Sequence, residues 1–515
     1  MQIRRSFLKR GAAAAAVSGT LSNLRGQRST QAASGSYAPT WNSLRNKTTP
    51  QWLKDGKVGI YTHWGVYSVP AFGQNGTWYA NHVYTMPDSP ERKHHEATYG
   101  PLDKFGYKDF IPMFTGAKFN ADEWADLFQK AGARFAGPVA EHHDGFSMWD
   151  TRFSEWNAAR MGPKRDIVGE LSKSIKGCDM RFVTAFHHAE NWFYFATWKK
   201  GYDSSDARYS GLYGPIHEQG ALPDKAFLDR WENKVKEVVD KYGPDFIWFD
   251  FGLQLVPDWY KRDLLAYYYN KALEQKKEVV VTYKSHDLPP GAGLLDLELG
   301  QEADLTYYEW ITDSTVDSGS GWGYVKDLGF KSVDTLVDNL VDRVSKNGYL
   351  LLNVGPKPDG TIPDEARDRL LGLGQWLKIN GEAIYGTTPW EIAAEGPSRM
   401  AAPTATGVRG FNEGNVPVYT GQDIRFTARD NILYATALDW PGDKVTIKSL
   451  APRGQTWTGL YPSEIASVTM LGDGRELRWE MTKDGLVVET PRAKPCDYAF
   501  VFKIVRKTPF RGEAL

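Results

Sequence analysis

Short β-branched or aromatic runs alternate with longer segments of helical period from residue 52 onward, which predicts a parallel α/β fold of barrel type. After residue 390 the character changes to short strand-like runs separated by Gly, Pro and Asp, which predicts a small β-sandwich behind the barrel. Polar clusters stand at the ends of the candidate strands of the first unit only, the place where a (β/α)-barrel carries its active site. Candidate strands cover residues 58–63, 135–141, 181–187, 245–250, 279–284 and 349–353. Helices are expected over 121–130 behind the N-cap Asn120, 225–242 behind Asp224, 333–346 behind Ser332, and 364–379. In the tail, 423–426, 431–438 and 444–447 read as strands. The expected division is a leader over 1–33, a barrel over 34–390 and a sandwich over 391–515.

Composition narrows the function. In 515 residues, Lys plus Arg number 62 against 63 Asp plus Glu, with no basic run in the body of the chain, so the electrostatic footprint of nucleic-acid binding is missing. The chain holds 19 Trp, 26 Tyr and 24 Phe, and several Trp stand beside His, Gly or Asp, where a flat ring next to polar groups suits a sugar. Cys178 and Cys496 lie too far apart in sequence to suggest a disulfide framework or a thiolate metal site. At the N-terminus, Arg4-Arg5-Ser6-Phe7-Leu8-Lys9, a small apolar run and Ala32-Ala33 resemble a twin-arginine export signal. With no later stretch apolar and long enough to span a bilayer, a periplasmic or extracellular protein is expected. A homo-oligomer is compatible with the sequence, which fixes no oligomeric state.

The apolar run 244–249 ends in Asp250, a carboxylate that a barrel strand would deliver to the catalytic rim, partly desolvated between Phe and Trp rings. Glycoside hydrolysis needs a second carboxyl group as acid and base. Glu298, between Leu297 and Leu299, is the first choice because an apolar setting raises a carboxyl pKa; Glu302 and Glu309 are the alternatives. His63, His142, His143, His187 and His188 follow three separate strands, so half of the ten histidines gather at one rim. Alternation along an extended strand argues that neither adjacent pair chelates a metal, so no metal is expected, and the imidazoles with Trp78 and Trp248 read as partners for a pyranose.

These motifs resemble the α-L-fucosidases of glycoside hydrolase family 29. The likeness runs from WLKDGKVGIYTHWG (52–65) through EHHDGF (141–146), WFD (248–250) and GWGY (321–324) to SKNGYLLLNVGP (345–356), DGTIP (359–363) and NGEAIYGT (380–387). It implies a (β/α)8-like barrel followed by a sandwich, and an exo-acting, cofactor-free double displacement on fucosylated glycans. Asp250 matches the nucleophile. His63, His142, His143 and Trp248 match sugar contacts, with His187, Lys284, Trp78 and Trp322 added to the binding set. Glu298 matches an Asp-x-Glu-x-Gly element. Phe251 departs from relatives in which Gly follows the nucleophile directly, which reshapes the pocket wall. An α-L-galactosidase and a fucan-binding protein without turnover are the rival readings.

Overall fold

The computed structural model describes residues 36–319, 321–398, 410–415, 417–452, 454 and 456–508, so the expected export signal lies outside the described residues. Eight strands close a barrel in chain order: β1 (Val58–Thr62), β2 (Phe135–Glu141), β3 (Arg181–Phe186), β4 (Phe246–Phe249), β5 (Val280–Lys284), β6 (Leu294–Asp296), β7 (Trp310–Thr315) and β8 (Gly348–Val354). Every neighbouring pair is parallel, and β8 closes on β1 with Gly59 opposite Leu351.

The expected caps hold their helices. Asn120 accepts from the Asp122 and Glu123 amides ahead of Ala121–Lys130, Asp224 from Phe227 ahead of Lys225–Tyr242, and Ser332 from Thr335 ahead of Val333–Ser345. Ile167–Gly177, Asp258–Glu274 and Asp364–Asn380 complete the long helices around the barrel. No helix joins β5 to β6 or β6 to β7, so the barrel keeps eight strands but drops two helices of the regular pattern. The segment around Tyr37 and Arg45 packs there instead: Tyr37 exchanges hydrogen bonds with the Asn270 side chain, and the Arg45 guanidinium donates to the Pro290 carbonyl.

The barrel interior shows the two-residue alternation of strands. Tyr61, Phe135, Val139, Val183, Ala185, Phe246, Trp248, Val280, Leu294, Ile311, Tyr349 and Leu351 form one buried cluster inside the strands. Gly59 leaves room for Phe135, whose ring would lie 2.0 Å from a Cβ at that position. The next inward position beyond this apolar filling is His63 after Tyr61, His187 after Ala185, Asp250 after Trp248, Asp296 after Leu294, Asp313 after Ile311 and Asn353 after Leu351.

Behind the barrel, a five-stranded antiparallel sheet runs in the order β13 (Ile465–Met470), β16 (Phe500–Arg506), β11 (Ile432–Ala437), β10 (Ile424–Arg429) and β9 (Thr388–Glu395). A three-stranded sheet, β12 (Lys444–Ile447), β15 (Gly485–Glu489) and β14 (Trp479–Thr482), packs over it across Phe426, Leu433, Val445, Ile447, Leu486 and Phe502, which makes the expected sandwich. Strand β9 straddles the expected boundary at 390. The outer face of the larger sheet meets the barrel helix Val333–Ser345 through Asp342, which lies 2.6 Å from Arg425 Nε and 2.7 Å from Lys346 Nζ, all three side chains being buried. Burial works against the Asp342 anion, but the two cations hold its carboxyl below the usual range. Asp342→Ala removes the buried anion that Arg425 and Lys346 both face, and urea denaturation should show a loss of about 3–5 kcal/mol in unfolding free energy; a loss below about 1 kcal/mol would show that the triad contributes little.

Candidate active site

Asp250 follows β4, and its backbone amide still donates to Phe186 O at 3.1 Å, so the carboxylate rises from a strand that is held to its end. The turn beyond it requires Gly252, whose φ is +108° and where a Cβ would meet Glu190 Cγ at 2.7 Å. Two imidazoles converge on one carboxylate oxygen: His187 Nδ1 lies 2.8 Å and His143 Nε2 3.4 Å from Asp250 Oδ2. Burial by itself would raise the Asp250 carboxyl, but these two donors and the Lys284 charge hold it well below the usual carboxylate range. An ionised carboxylate only accepts, so His187 Nδ1 carries the proton and Nε2 keeps its lone pair. Burial depresses the His187 ring to about 4 against the pull of Asp250, so it is neutral near pH 7.

His143 has a different state. Its Nδ1 lies 2.9 Å from the His187 carbonyl and 3.4 Å from Glu190 Oε2 while its Nε2 faces Asp250, so both nitrogens act as donors. Burial opposes the charge, but Glu190 and Asp250 raise His143 above the ordinary histidine range. Glu190 is itself pushed up to about 7 by burial, with His143 opposing and Asp250 reinforcing the shift.

Lys284, at the end of β5, forms the floor. Its ammonium lies 2.8 Å from Asp313, 2.9 Å from Asp296 and 3.3 Å from Glu298, and 4.7 Å from the centre of the Trp248 ring. Burial works against this cation, but the surrounding carboxylates hold Lys284 well above the usual lysine range. Trp248 donates to Asp296 at 2.7 Å, and Tyr61 donates to Asp313 at 3.1 Å. Asp313 is pushed well up by burial and by Asp296 and Glu298, against the lysine. Glu298 stands just beyond β6 with its side chain 14% exposed. Burial raises its carboxyl to about 7, with Lys284 opposing and the Asp250 and Asp296 charges adding to the rise. Lys284 and Trp248, expected beside the sugar, have carboxylates as their polar partners and are as buried as His63, His142, His143 and His187.

Above this floor, His63 Nδ1 donates to Asn353 Oδ1 at 2.9 Å, while Asn353 spends its amide hydrogens on Thr315 and the Trp322 carbonyl. His63, held neutral by burial, therefore turns an accepting Nε2 to the pocket. Its ring centre lies 5.4 Å from His142, 5.0 Å from His187 and 5.3 Å from Trp322. Trp78 stands half-buried, 5.2 Å from His143. The alternation expected to part His142 from His143 does not apply, and their ring centres are 4.3 Å apart. The reason is a β-bulge: Val139 pairs with Ala185 but Glu141 with Phe186, so Glu141 turns outward to Lys234 at 2.7 Å and His142 turns in, stacked 4.2 Å from His187. His188 does point away, to the Trp231 carbonyl.

His63, His142 and His187 bring ring nitrogens within 4.8 Å of one another, as do the side chains of His143, His187 and Asp250, so either trio could hold a transition metal. His142 Nδ1 and His187 Nε2 are buried without a hydrogen-bond partner among the described residues, and sugar hydroxyls would satisfy them equally well.

The alternatives to Glu298 lie elsewhere. Glu309 precedes β7 at the opposite rim, bonded to Tyr349 and 3.4 Å from Lys54, and Glu302 accepts from the partly exposed Tyr308. Sequence reasoning missed Asp313 and assigned no role to Asp296, the first residue of the Asp-x-Glu-x-Gly element. It also missed the segment after the sandwich's first strand. There the Phe411 amide donates to Glu298 O at 2.7 Å, the Glu413 amide to Leu299 O at 2.8 Å, and the Asn412 side chain bonds Gln301 N and O. Glu413 is buried, accepting from Ser314, Lys331 and Asn339. No local pattern announces such a contact.

A family model described as α-L-fucosidase matches residues 25–382, and one described as the α-L-fucosidase C-terminal domain matches 419–505. The chain belongs to the α-L-fucosidase family. The tissue α-L-fucosidase of Rattus norvegicus is 30% identical over 486 residues, 89% of each chain. The plasma α-L-fucosidase of Homo sapiens is 32% identical over 493 residues, covering 91% of this chain and 92% of that one. Among solved structures, Thermotoga maritima α-fucosidase in complex with a mechanism based inhibitor matches with a TM-score of 0.72 at 32% identity, over 91% of this chain and 100% of that one. These names support the fucosidase expectation and neither of its rivals. In this α-L-fucosidase family member the Lys284 charge opposes the rise of Glu298, so Lys284→Met should move the Glu298 titration, followed by isotope-edited infrared spectroscopy, to a midpoint above about 7; a midpoint that stays or falls would remove the lysine from the control of that group.

Proposed function

We propose that the protein releases terminal α-L-fucose by double displacement with retention, Asp250 acting as nucleophile and Glu298 as general acid and base. The observation that carries this reading is the opposite displacement of two carboxyl groups at one rim: Asp250 is held ionised by His187, His143 and Lys284, while burial and neighbouring anions keep a proton on Glu298 up to about pH 7. Asp250 attacks the anomeric carbon as the bond to the leaving oxygen breaks, and the Glu298 proton passes to that oxygen. Glu298, now a carboxylate, takes a proton from water, whose oxygen displaces Asp250 and frees fucose in its original configuration. The accepting nitrogens of His63 and His187 take hydroxyl hydrogens, with His142 and His143 beside them, and the Trp78 and Trp322 rings supply apolar wall for the ring and its methyl group. No step needs a metal; loss of turnover on chelation would favour the histidine trio as a metal centre instead.

Asp250→Gly should lower turnover of an aryl α-L-fucoside by several orders of magnitude, and azide should restore it with formation of the β-L-fucosyl azide. An unchanged rate, or an α-configured azide, would exclude the double displacement through Asp250. The acid works only while protonated, so kcat/KM should fall as pH rises through about 7, where Glu298 ionises. Glu298→Ala should abolish that limb and slow fucosyl disaccharides far more than α-L-fucosyl fluoride, because fluoride leaves with less help from a proton. Equal losses on both substrates would assign the acid elsewhere, with Glu190, also near 7, next in line.

We also propose export of the chain through its twin-arginine leader, on the strength of Arg4-Arg5-Ser6-Phe7-Leu8-Lys9. Replacing both arginines with lysine should strand a folded reporter fused behind residues 1–33 inside the cell, and continued export would refute it.

A further inference from the structure

Phe251 and Phe411 are aromatic side chains at this rim that the catalytic steps above leave unused. Phe251 directly follows the nucleophile, its ring centre 5.5 Å from Lys284 Nζ, the same ammonium that lies 3.3 Å from Glu298. Phe411 comes from the segment beyond β9, and its ring is nearly parallel to that of Phe251, inclined by 13° with centres 6.3 Å apart. It is 55% exposed, so its ring is open to a ligand.

Its position is nevertheless fixed. The Phe411 amide is bonded to the Glu298 carbonyl, the Asn412 side chain to Gln301 and the Glu413 amide to Leu299, so this segment rides on the loop that carries the acid. Close packing admits only glycine at 410, where φ is +111° and a Cβ would meet Glu298 O at 2.7 Å; a Cβ at Gly300 would in turn meet Gly410 Cα at 2.7 Å. Phe411 itself adopts φ +54° and Leu299 φ +42°, a left-handed conformation that such side chains rarely take and that clusters at ligand-binding places. Buried Glu413, with Ser314, Lys331 and Asn339 as donors, anchors the far end.

The oxygen that Glu298 protonates belongs to the leaving group, so the first sugar of that group lies against Glu298 on the outward side. We propose that Phe251 and Phe411 form the platform for this sugar, a leaving-group subsite assembled from a barrel strand end and the segment behind the barrel, which stacks the apolar face of a pyranose. The proposal rests on the fucosidase reading and adds to it the residues that select the aglycone. Phe411 also borders a cavity of about 470 Å³, lined among others by Leu299, Lys331, Asn339 and Glu413.

The test compares two substrates that share the fucosyl group. A fucosyl disaccharide carries a ring for the platform, whereas methyl α-L-fucoside carries only a methyl group, and both leaving oxygens need the Glu298 proton. In Phe411→Ala the ratio of kcat/KM for the disaccharide to kcat/KM for methyl α-L-fucoside should fall about tenfold, the size expected for losing one aromatic stacking contact, and Phe411→Trp should restore it. Phe251→Leu should lower the same ratio. A ratio that stays at the wild-type value in Phe411→Ala overturns the proposal; a segment that only positioned Glu298 or supported the fold would slow both substrates alike, because both leaving oxygens need the same proton. Failure of the underlying reading would look different, since the wild type would then leave both α-L-fucosides untouched.

Discussion

One enclosed ammonium organises this active site. Lys284 sits at the mouth of the barrel with its hydrogens directed to Asp296 and Asp313 and its charge beside Glu298. An ion so deeply buried is tolerated only when paired and hydrogen-bonded, and the pairing reaches outward: Asp296 takes the Trp248 indole, and Asp313 takes the Tyr61 hydroxyl. Several carboxyl groups around one cation cannot all ionise at ordinary pH. Protons therefore remain on some of them, and Glu298, the member nearest the surface, keeps one that a reaction can use.

The nucleophile shows the complementary solution. Asp250 loses its hydration to burial, but it gains two imidazole donors and the same lysine charge, and these more than compensate. The difference between the two carboxyl groups thus comes from their neighbours. Neither Asp nor Glu is intrinsically the anion or the acid, and the setting that separates them draws on β3, β4, β5, β6 and the turn after β2.

The segment Gly410–Glu413 extends that setting beyond the barrel. It lies between two sandwich strands in sequence, yet its hydrogen bonds go to residues 298–301 and to the barrel side chains Ser314, Lys331 and Asn339. A loop that carries an acid gains fixed geometry from such pairing, which a short strand such as β6 would not supply alone. The sandwich therefore bears on the chemistry as well as on the stability it contributes through Asp342 and Arg425.

Much of the barrel was legible in the sequence, because six of its strands are apolar runs bounded by turns and three of the expected helices start behind a recognisable cap. Asp250, His63 and His187 were legible for the same reason: each terminates such a run on the inward parity, and strand geometry alone sends it to the rim. Strand β6 is too short and β7, with Thr312, Asp313 and Ser314, too polar to stand out, so Asp313 went unseen and Asp296 was given no role. The placement of His142 depends on a bulge at the end of β2, which breaks the parity that sequence reasoning assumes. The role of Lys284 as a buried counter-ion, the choice of Glu298 over Glu309 and the approach of Phe411 to Phe251 were decided only by tertiary structure. Each is a meeting of residues distant in sequence, and the charge state of a buried group depends on whom it meets.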